Sequence, residues 1–266
     1  MKVVLCDTHD AGGLWLASRL DGADEKCVLV TSELLSFARR RSQRLGLGGV
    51  QARVDLHDDA AIQAPSLVVN RLLSPPIAAW QQAEASERHY ATAELTAFTL
   101  SWLAGLEAPV RNRADPSCLA GPAPHWLLTG IVAARAGLDC PDLTEIDHRS
   151  PYPLLEQALR AAGSGGRPVH AVVLDGLIID PEGVAVRAGR ALPAELTTAV
   201  RTFAEDAGAA EALIGIDLVV DDAHWWFGGL TPLPDVRLAG DALVRSLGTL
   251  AACGGGSASA TGRAAA

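Results

Sequence analysis

Apolar residues come along this chain as short unbroken runs set between helical patterns. KVVLC (2–6), KCVLVTS (26–32) and SLVVNRL (66–72) have the length and continuity of buried strands. LWLASRL after the loop DTHDAGG predicts a helix. ELLSFARRRSQRL predicts another, capped by Thr31 or Ser32 and stopped at Gly46. VQARVDL alternates as a strand does. This order predicts a small parallel α/β sheet covered on both faces. Pro75-Pro76 then breaks the chain before helices at about 77–86 and 87–106. In the second of these Tyr90, Glu94, Phe98 and Trp102 recur every four residues. Core packing explains the stripe except for Glu94.

The second half reads as α+β. A Pro- and Gly-rich loop at 108–124 places a domain boundary near residue 110, giving an N-terminal α/β domain over 1–110 and a second domain over 111–252. A helix is predicted at about 125–137, a strand at CPDLTEI, and a helix at PYPLLEQALRAAG. PVHAVVLDGLIIDPEGVAVR predicts an antiparallel meander with turns at Asp175-Gly176 and Glu182-Gly183. PAELTTAVRTFAEDAG is a helix, EALIGIDLVVDDAHWWFGGL a hairpin, and AGDALVRSLGTLAA a last helix. In the hairpin one of Trp225 and Trp226 faces each side. The low-complexity stretch 253–266 predicts a disordered tail.

Charge narrows the partners. The 266 residues carry 31 acidic and 22 basic side chains, a net charge of −9, which speaks against a nucleic-acid surface and against attraction to anionic lipid. No apolar stretch is long enough to span a bilayer. Five cysteines without C-x-x-C spacing imply no disulfide framework and a reducing, cytoplasmic setting, and MKVVLCDTHD reads as a first strand and not as a signal peptide. Arg39, Arg40, Arg41 and Arg44 fall on one predicted helix of this acidic chain. They read as a solvated face, with a docking patch for an acidic partner as the alternative.

Three polar groupings invite a chemical reading. In CDTHDAGG, Asp7, His9 and Asp10 could hold a metal, or Gly12 and Gly13 let the backbone approach a phosphate; a capped strand-to-helix turn accounts for them more simply. EIDHR offers Glu145, Asp147 and His148 without zinc spacing. His170 alternates with apolar neighbours and reads as a rim histidine. No P-loop and no G-x-S-x-G elbow is present.

Four stretches together resemble the ATP-grasp superfamily, closest to its peptide and amino-acid ligase branch: VVNRL (68–72), YATAELTAFTLSWLAGLEAPVRNR (90–113), LLTGIVAARAGLDCPDLTEI (127–146) and GIDLVV…FGGLTPLPD. The resemblance implies a parallel α/β domain followed by an ATP-grasp-like α+β domain, here reduced. It also implies two phosphate-binding lysines and a magnesium cage of Asp, Glu and Asn. The only lysines are Lys2 and Lys26, and GPAPHWLL has His125 where the first clamp is expected. The glycine-rich lid segment has no counterpart in the short stretch between TEI and RPVHAVVL. Asp217 matches the first metal ligand, but the other two positions are Gly229 and Thr231. One carboxylate, a glycine and a hydroxyl make a poor cage for a hard ion, and Asp217 is read as a remnant metal ligand.

The expectation is therefore an ATP-grasp-like protein with a degenerate nucleotide and magnesium site. It would need no cofactor and would act as a binding or scaffold partner for a peptide or protein, for example in peptide modification. The alternatives are an ATP- and magnesium-dependent carboxylate–amine ligase with a rebuilt site, and an unrelated α/β protein that binds a small molecule. The cleft candidates are Asp217, Arg167, His170, Trp226, Thr231 and Glu94, with no catalytic residue assigned.

Overall fold

The computed structural model describes residues 1–22, 25–46, 49–56, 61, 62, 64–146 and 149–254. The chain divides into two units, one of Met1–Ala120 with the chain from Val244 on, the other Gly121–Leu243. The mixed α/β architecture expected from the sequence is present, with a parallel sheet in the first unit and an antiparallel sheet in the second.

In the first unit β1 (Lys2–Cys6) leads to α1 (Ala11–Leu20), β2 (Cys27–Thr31) and α2 (Ser32–Ser36). An antiparallel sheet follows, made of β3 (Arg40–Gly46), β4 (Gly49–Asp55) and β5 (Ala61–Ile62). The chain then returns as β6 (Leu67–Arg71), passes through α3 (Ala85–Ala104) and ends this sheet with β7 (Val110–Arg111). The parallel sheet has the order β2-β1-β6-β7. Its strands read as continuous apolar runs because both faces are covered; all five residues of β6 are buried. Val3, Leu5, Val30, Val68, Trp102 and Leu103 share one core. Gly13 lets α1 sit on β1, since a Cβ there would stand 2.7 Å from that of Cys6. That contact, with the Asp10–Arg71 ion pair at 2.6 Å, accounts for the CDTHDAGG loop as a strand-to-helix turn.

Two predictions fail in this unit. The helix expected over ELLSFARRRSQRL stops at Ser36, and Arg40, Arg41 and Arg44 lie on β3. Arg41 folds back so that its guanidinium donates to the carbonyls of Leu35 and Ser36, closing the C-terminus of α2. The segment 77–86 holds only a short helical turn at Ala78–Trp80 before α3 begins.

The second unit contains α4 (Trp126–Arg135), α5 (Pro153–Ala162), β8 (Arg167–Leu174), β9 (Leu177–Ile178), α6 (Pro181–Ala188), α7 (Ala194–Asp206), β10 (Leu213–Val220) and β11 (Trp225–Thr231). α8 (Gly240–Gly254) begins in this unit and is the last element described. The sheet order is β11-β10-β8-β9. Val169, Ala171 and Val173 of β8 and Ile214, Ile216, Leu218 and Val220 of β10 form a core with α6 and α7, where Phe203 meets Phe227 at 5.1 Å. CPDLTEI forms no strand; Asp142 caps a helical turn at Leu143–Glu145. The meander ends after β9, because Asp180 accepts from the Gly183 amide and Pro181 opens α6. Of the tail expected over 253–266, Cys253 and Gly254 belong to α8; Asp147, His148 and residues 255–266 lie outside the described residues.

Candidate functional site

The candidate site lies on the face of the second sheet opposite its helices. Alternation along a strand sends Val169 and Leu218 to the core, and so sends their neighbours His170 and Asp217 to the other side. The two are directly paired across β8 and β10, and His170 Nδ1 stands 2.7 Å from Asp217 Oδ1. On the far side of β10, Asp217 is paired with Gly229 and Gly215 with Thr231. The imidazole lies over Gly215. A Cβ on Gly215 would come within 2.4 Å of His170 Cε1, 2.6 Å of its Nε2 and 2.7 Å of the Thr231 methyl. The glycine is thus what lets His170, Asp217 and Thr231 converge. A glycine inside an apolar strand was the sequence signal for such an approach.

The other candidates separate. Trp226 is on the same face farther along β11, where Nε1 donates to Asp221 Oδ2 at 2.8 Å and the ring meets His224; Trp225 joins the core. Arg167 begins β8 in the alternation of Val169, on the helix side, with its guanidinium against Gly189 at the end of α6. Glu94 is exposed on α3 of the first unit. His125 caps α4, Nδ1 accepting from the Leu127 amide at 3.3 Å.

Residues outside the candidate set also shape this sheet. Asp221 accepts from Trp226 and from the amides of His224 and Ala223, and these bonds pull its carboxyl down to about 2. Asp235 is gripped by Arg237 at 2.7 and 2.9 Å, and that hydrogen bond, against some burial, holds its carboxyl below the usual range. Arg187 Nη2 donates to the His170 carbonyl at 3.3 Å. Arg190 donates to the Asp221 carbonyl at 2.9 Å and lies over Trp225. The aspartate-rich turn DDAH was the one signal visible in advance, as a short polar loop whose side chain bonds its own backbone.

These residues do not fit a magnesium cage. Asp217 is taken by His170. The Thr231 hydroxyl accepts from the Leu233 amide at 3.1 Å. Gly229 has φ +146, a conformation that side chains rarely adopt, so its backbone is not set for a carboxylate ligand. Among the described residues no three His, Cys, Asp or Glu side chains are grouped to hold a metal. Nor is there a phosphate clamp of the lysine kind in this unit, and Arg187, Arg190 and Arg237 are all engaged within the protein.

No family model and no curated protein sequence matches the chain. Solved structures do. The macrocyclase MdnC of Microcystis aeruginosa MRC, bound with the precursor peptide MdnA, superposes with a TM-score of 0.65 over 94% of this chain and 100% of that chain, at 12% identity. A RiPP-associated ATP-grasp ligase of Chryseobacterium gregarium, in complex with ADP and a leader and core peptide, gives 0.62 over 95% of each chain at 11% identity. The ATP-grasp ligase PsnB, complexed with a minimal precursor, gives 0.64 over 94% and 98% at 16% identity. The fold of this chain is ATP-grasp-like, with peptide-modifying ligases among its structural neighbours.

Proposed function

We propose that this chain is a non-catalytic ATP-grasp-like protein that acts as a binding or scaffold partner in peptide modification. The observation that carries the reading is the Asp217–His170 pair. The one carboxylate left at the expected metal position is bonded to an imidazole, beside a glycine with positive φ and a hydroxyl already used by the backbone. Phosphoryl transfer depends on cations that neutralise developing charge. Loss of one preorganised donor at such a site costs on the order of 10²–10³ in rate. Here the lysine clamps and two of three ligands are lost together. The described residues between β7 and β8 form helices and turns without a strand, which supports a reduced lid. Neighbours crystallised with precursor peptides support a peptide as the partner. The five cysteines are all free, in keeping with a reducing cytoplasm, and no described helix is long and apolar enough to cross a membrane.

Thermal melting with ATP and magnesium tests the reading. A ligand at about 100 times its Kd stabilises by about 2.7 kcal/mol and raises the midpoint by several degrees. We expect no shift up to millimolar nucleotide, and no ADP formed with a precursor peptide present. A magnesium-dependent shift accompanied by ADP release would overturn the reading in favour of a ligase with a rebuilt site.

A further inference from the structure

The arginines of residues 39–44 are not absorbed by the reading above, and the fold puts them on a strand edge. Arg41 and Gln43 of β3 turn inward, Arg41 to the end of α2 and Gln43 to the Ser101 carbonyl at 3.1 Å. Arg40 and Arg44 alternate with them and are exposed. Arg53 of β4, paired with Ser42, stands between them on the same face and is exposed as well. Among the described residues one carboxylate interrupts the row, Asp55, which is bonded to Arg53. Arg39, Arg40, Arg53 and Asp55 line a cavity of about 440 Å³ floored by Leu56 and Ala61.

Among the described residues β3 is the outer strand of its sheet, with β4 as its one strand neighbour. Among the described residues, no backbone group of Arg40–Gly46 makes a main-chain hydrogen bond outside the β3–β4 ladder. Half of the amides and carbonyls of such a strand point away from its neighbour and can accept another strand. Charge selects which strand. A second copy paired antiparallel about a twofold at Ser42 would set Arg40 against Arg44 across the new edge, which is destabilising. Nucleic acid would meet a molecule whose net charge is −9 with this patch included. A strand with carboxylates on alternate residues meets neither objection.

We propose that the free edge of β3 takes up an extended acidic peptide by strand addition. The peptide backbone pairs with Arg40–Gly46, its alternate Asp or Glu side chains lie on Arg40, Arg44 and Arg53, and one carboxylate enters the cavity at Arg40. The inference rests on the reading of a peptide partner given above and supplies its chemistry and its place of docking.

The test uses the full chain without nucleotide and a fluorescent decapeptide of alternating Glu and Val. Anisotropy should rise on binding. Affinity should fall about tenfold or more in R40E/R44E, because attraction becomes repulsion at two pairs, and should fall with added salt. Hydrogen exchange should slow at the amides of β3. Should the double variant not fold, the native chain is titrated with the same peptide N-methylated at alternate residues, which strand pairing predicts will not bind. Equal binding of a Lys–Val peptide, tighter binding of a single-stranded oligonucleotide, self-association through β3, or full affinity for the N-methylated peptide overturns the proposal. A nucleotide-dependent melting shift with peptide binding intact defeats the non-catalytic reading alone. Absence of peptide binding without such a shift defeats this inference alone.

Discussion

His170 on β8 and Asp217 on β10 face each other directly across the strand pair, and their side chains meet at 2.7 Å on the side of the sheet away from the helices. The pair joins β8 and β10 at the position where the sequence resemblance expects a metal ligand. Asp217→Ala should therefore act on stability. Removing one partner of a hydrogen bond to a charged group costs about 1–3 kcal/mol. The loss should appear in urea unfolding, equally with and without magnesium. A magnesium-dependent difference between the wild-type and variant chains would show that Asp217 still serves an ion.

Gly215→Ala should destabilise the same sheet. The added Cβ would stand 2.4 Å from the His170 ring, so the imidazole must leave its place beside Asp217. Overpacking of this kind costs about 1–3 kcal/mol. The double variant Gly215→Ala/His170→Ala should be less destabilised than the sum of the single changes, because the clash with the ring is gone and only the contact with the Thr231 methyl is left. Additive effects in a double-mutant cycle would mean that the ring does not lie over Gly215.

Writing the ligands that the resemblance expects into positions 229 and 231 should not create a metal site. Gly229→Glu/Thr231→Asn places the expected donors in sequence, but a side chain at φ +146 is strained by about 1–3 kcal/mol. Calorimetric titration with magnesium should show no heat of binding, and the melting point should drop. Saturable magnesium binding by this variant would reveal a backbone still suited to the cage.

Much of the fold could be read from apolar continuity. SLVVNRL became the fully buried β6 and EALIGIDLVV the strand β10, because a run covered on both faces leaves no other reading. Failures came where polar residues carry the structure. RRSQRLG looks like the outside of a helix, yet it forms β3, since Arg41 is used to close α2 and the alternation of Arg40, Ser42 and Arg44 suits a one-sided strand. PEGVAVR alternates like a strand but is α6, nucleated by the Asp180 cap. At the candidate site, Asp217 was visible from spacing within GIDLVV. The role of His170 was not, because a cross-strand partner 47 residues away leaves no local trace. Arg167 fell on the opposite face because it differs from His170 by an odd number of residues, a parity that depends on where the strand starts.

The Asp10–Arg71 pair should govern acid stability of the first unit. Burial alone would raise the Asp10 carboxyl. The hydrogen bonds and charge of Arg71, with the amides of Gly13 and Gly12, outweigh it and hold the carboxyl below its ordinary value of 3.8. With the folded value lower than the unfolded one, the stabilisation is fully present above about pH 4 and is lost as pH falls through the folded value. Asp10→Asn should flatten the pH dependence of stability below pH 4. Asp10→Ala should cost about 3–5 kcal/mol at neutral pH, because Arg71 is left buried without its anion. An unchanged acid limb in Asp10→Asn would mean that other carboxylates set it.

Cys253 should be the first thiol to react. Burial pushes Cys6 up to about 12 and Cys27 up to about 11, with Asp10 adding to the effect at Cys6, so both remain neutral thiols at physiological pH. Cys253 is exposed near the end of α8. A disulfide reagent at pH 8 should modify Cys253 first, and Cys6 and Cys27 only after denaturant is added. Rapid labelling of Cys6 in the native chain would show that α1 lifts from β1.

Pairing across β10 and β11 slips by one between Asp217 and Leu218, so that Gly228 has no opposite number. Parity on β11 is reset at that single residue, and everything after it owes its orientation to the extra unit. Excision of Gly228 would restore plain alternation and leave Thr231 outside and Leu230 toward the helices, whereas a strand that kept the residue without the bulge would exchange inside for outside from Gly229 to Thr231. Two chains can therefore share the same count of residues between landmarks in this hairpin and still present opposite sides of it. Comparison with any relative has to be made pair by pair across the ladder, since a column in a linear alignment does not fix a direction in space.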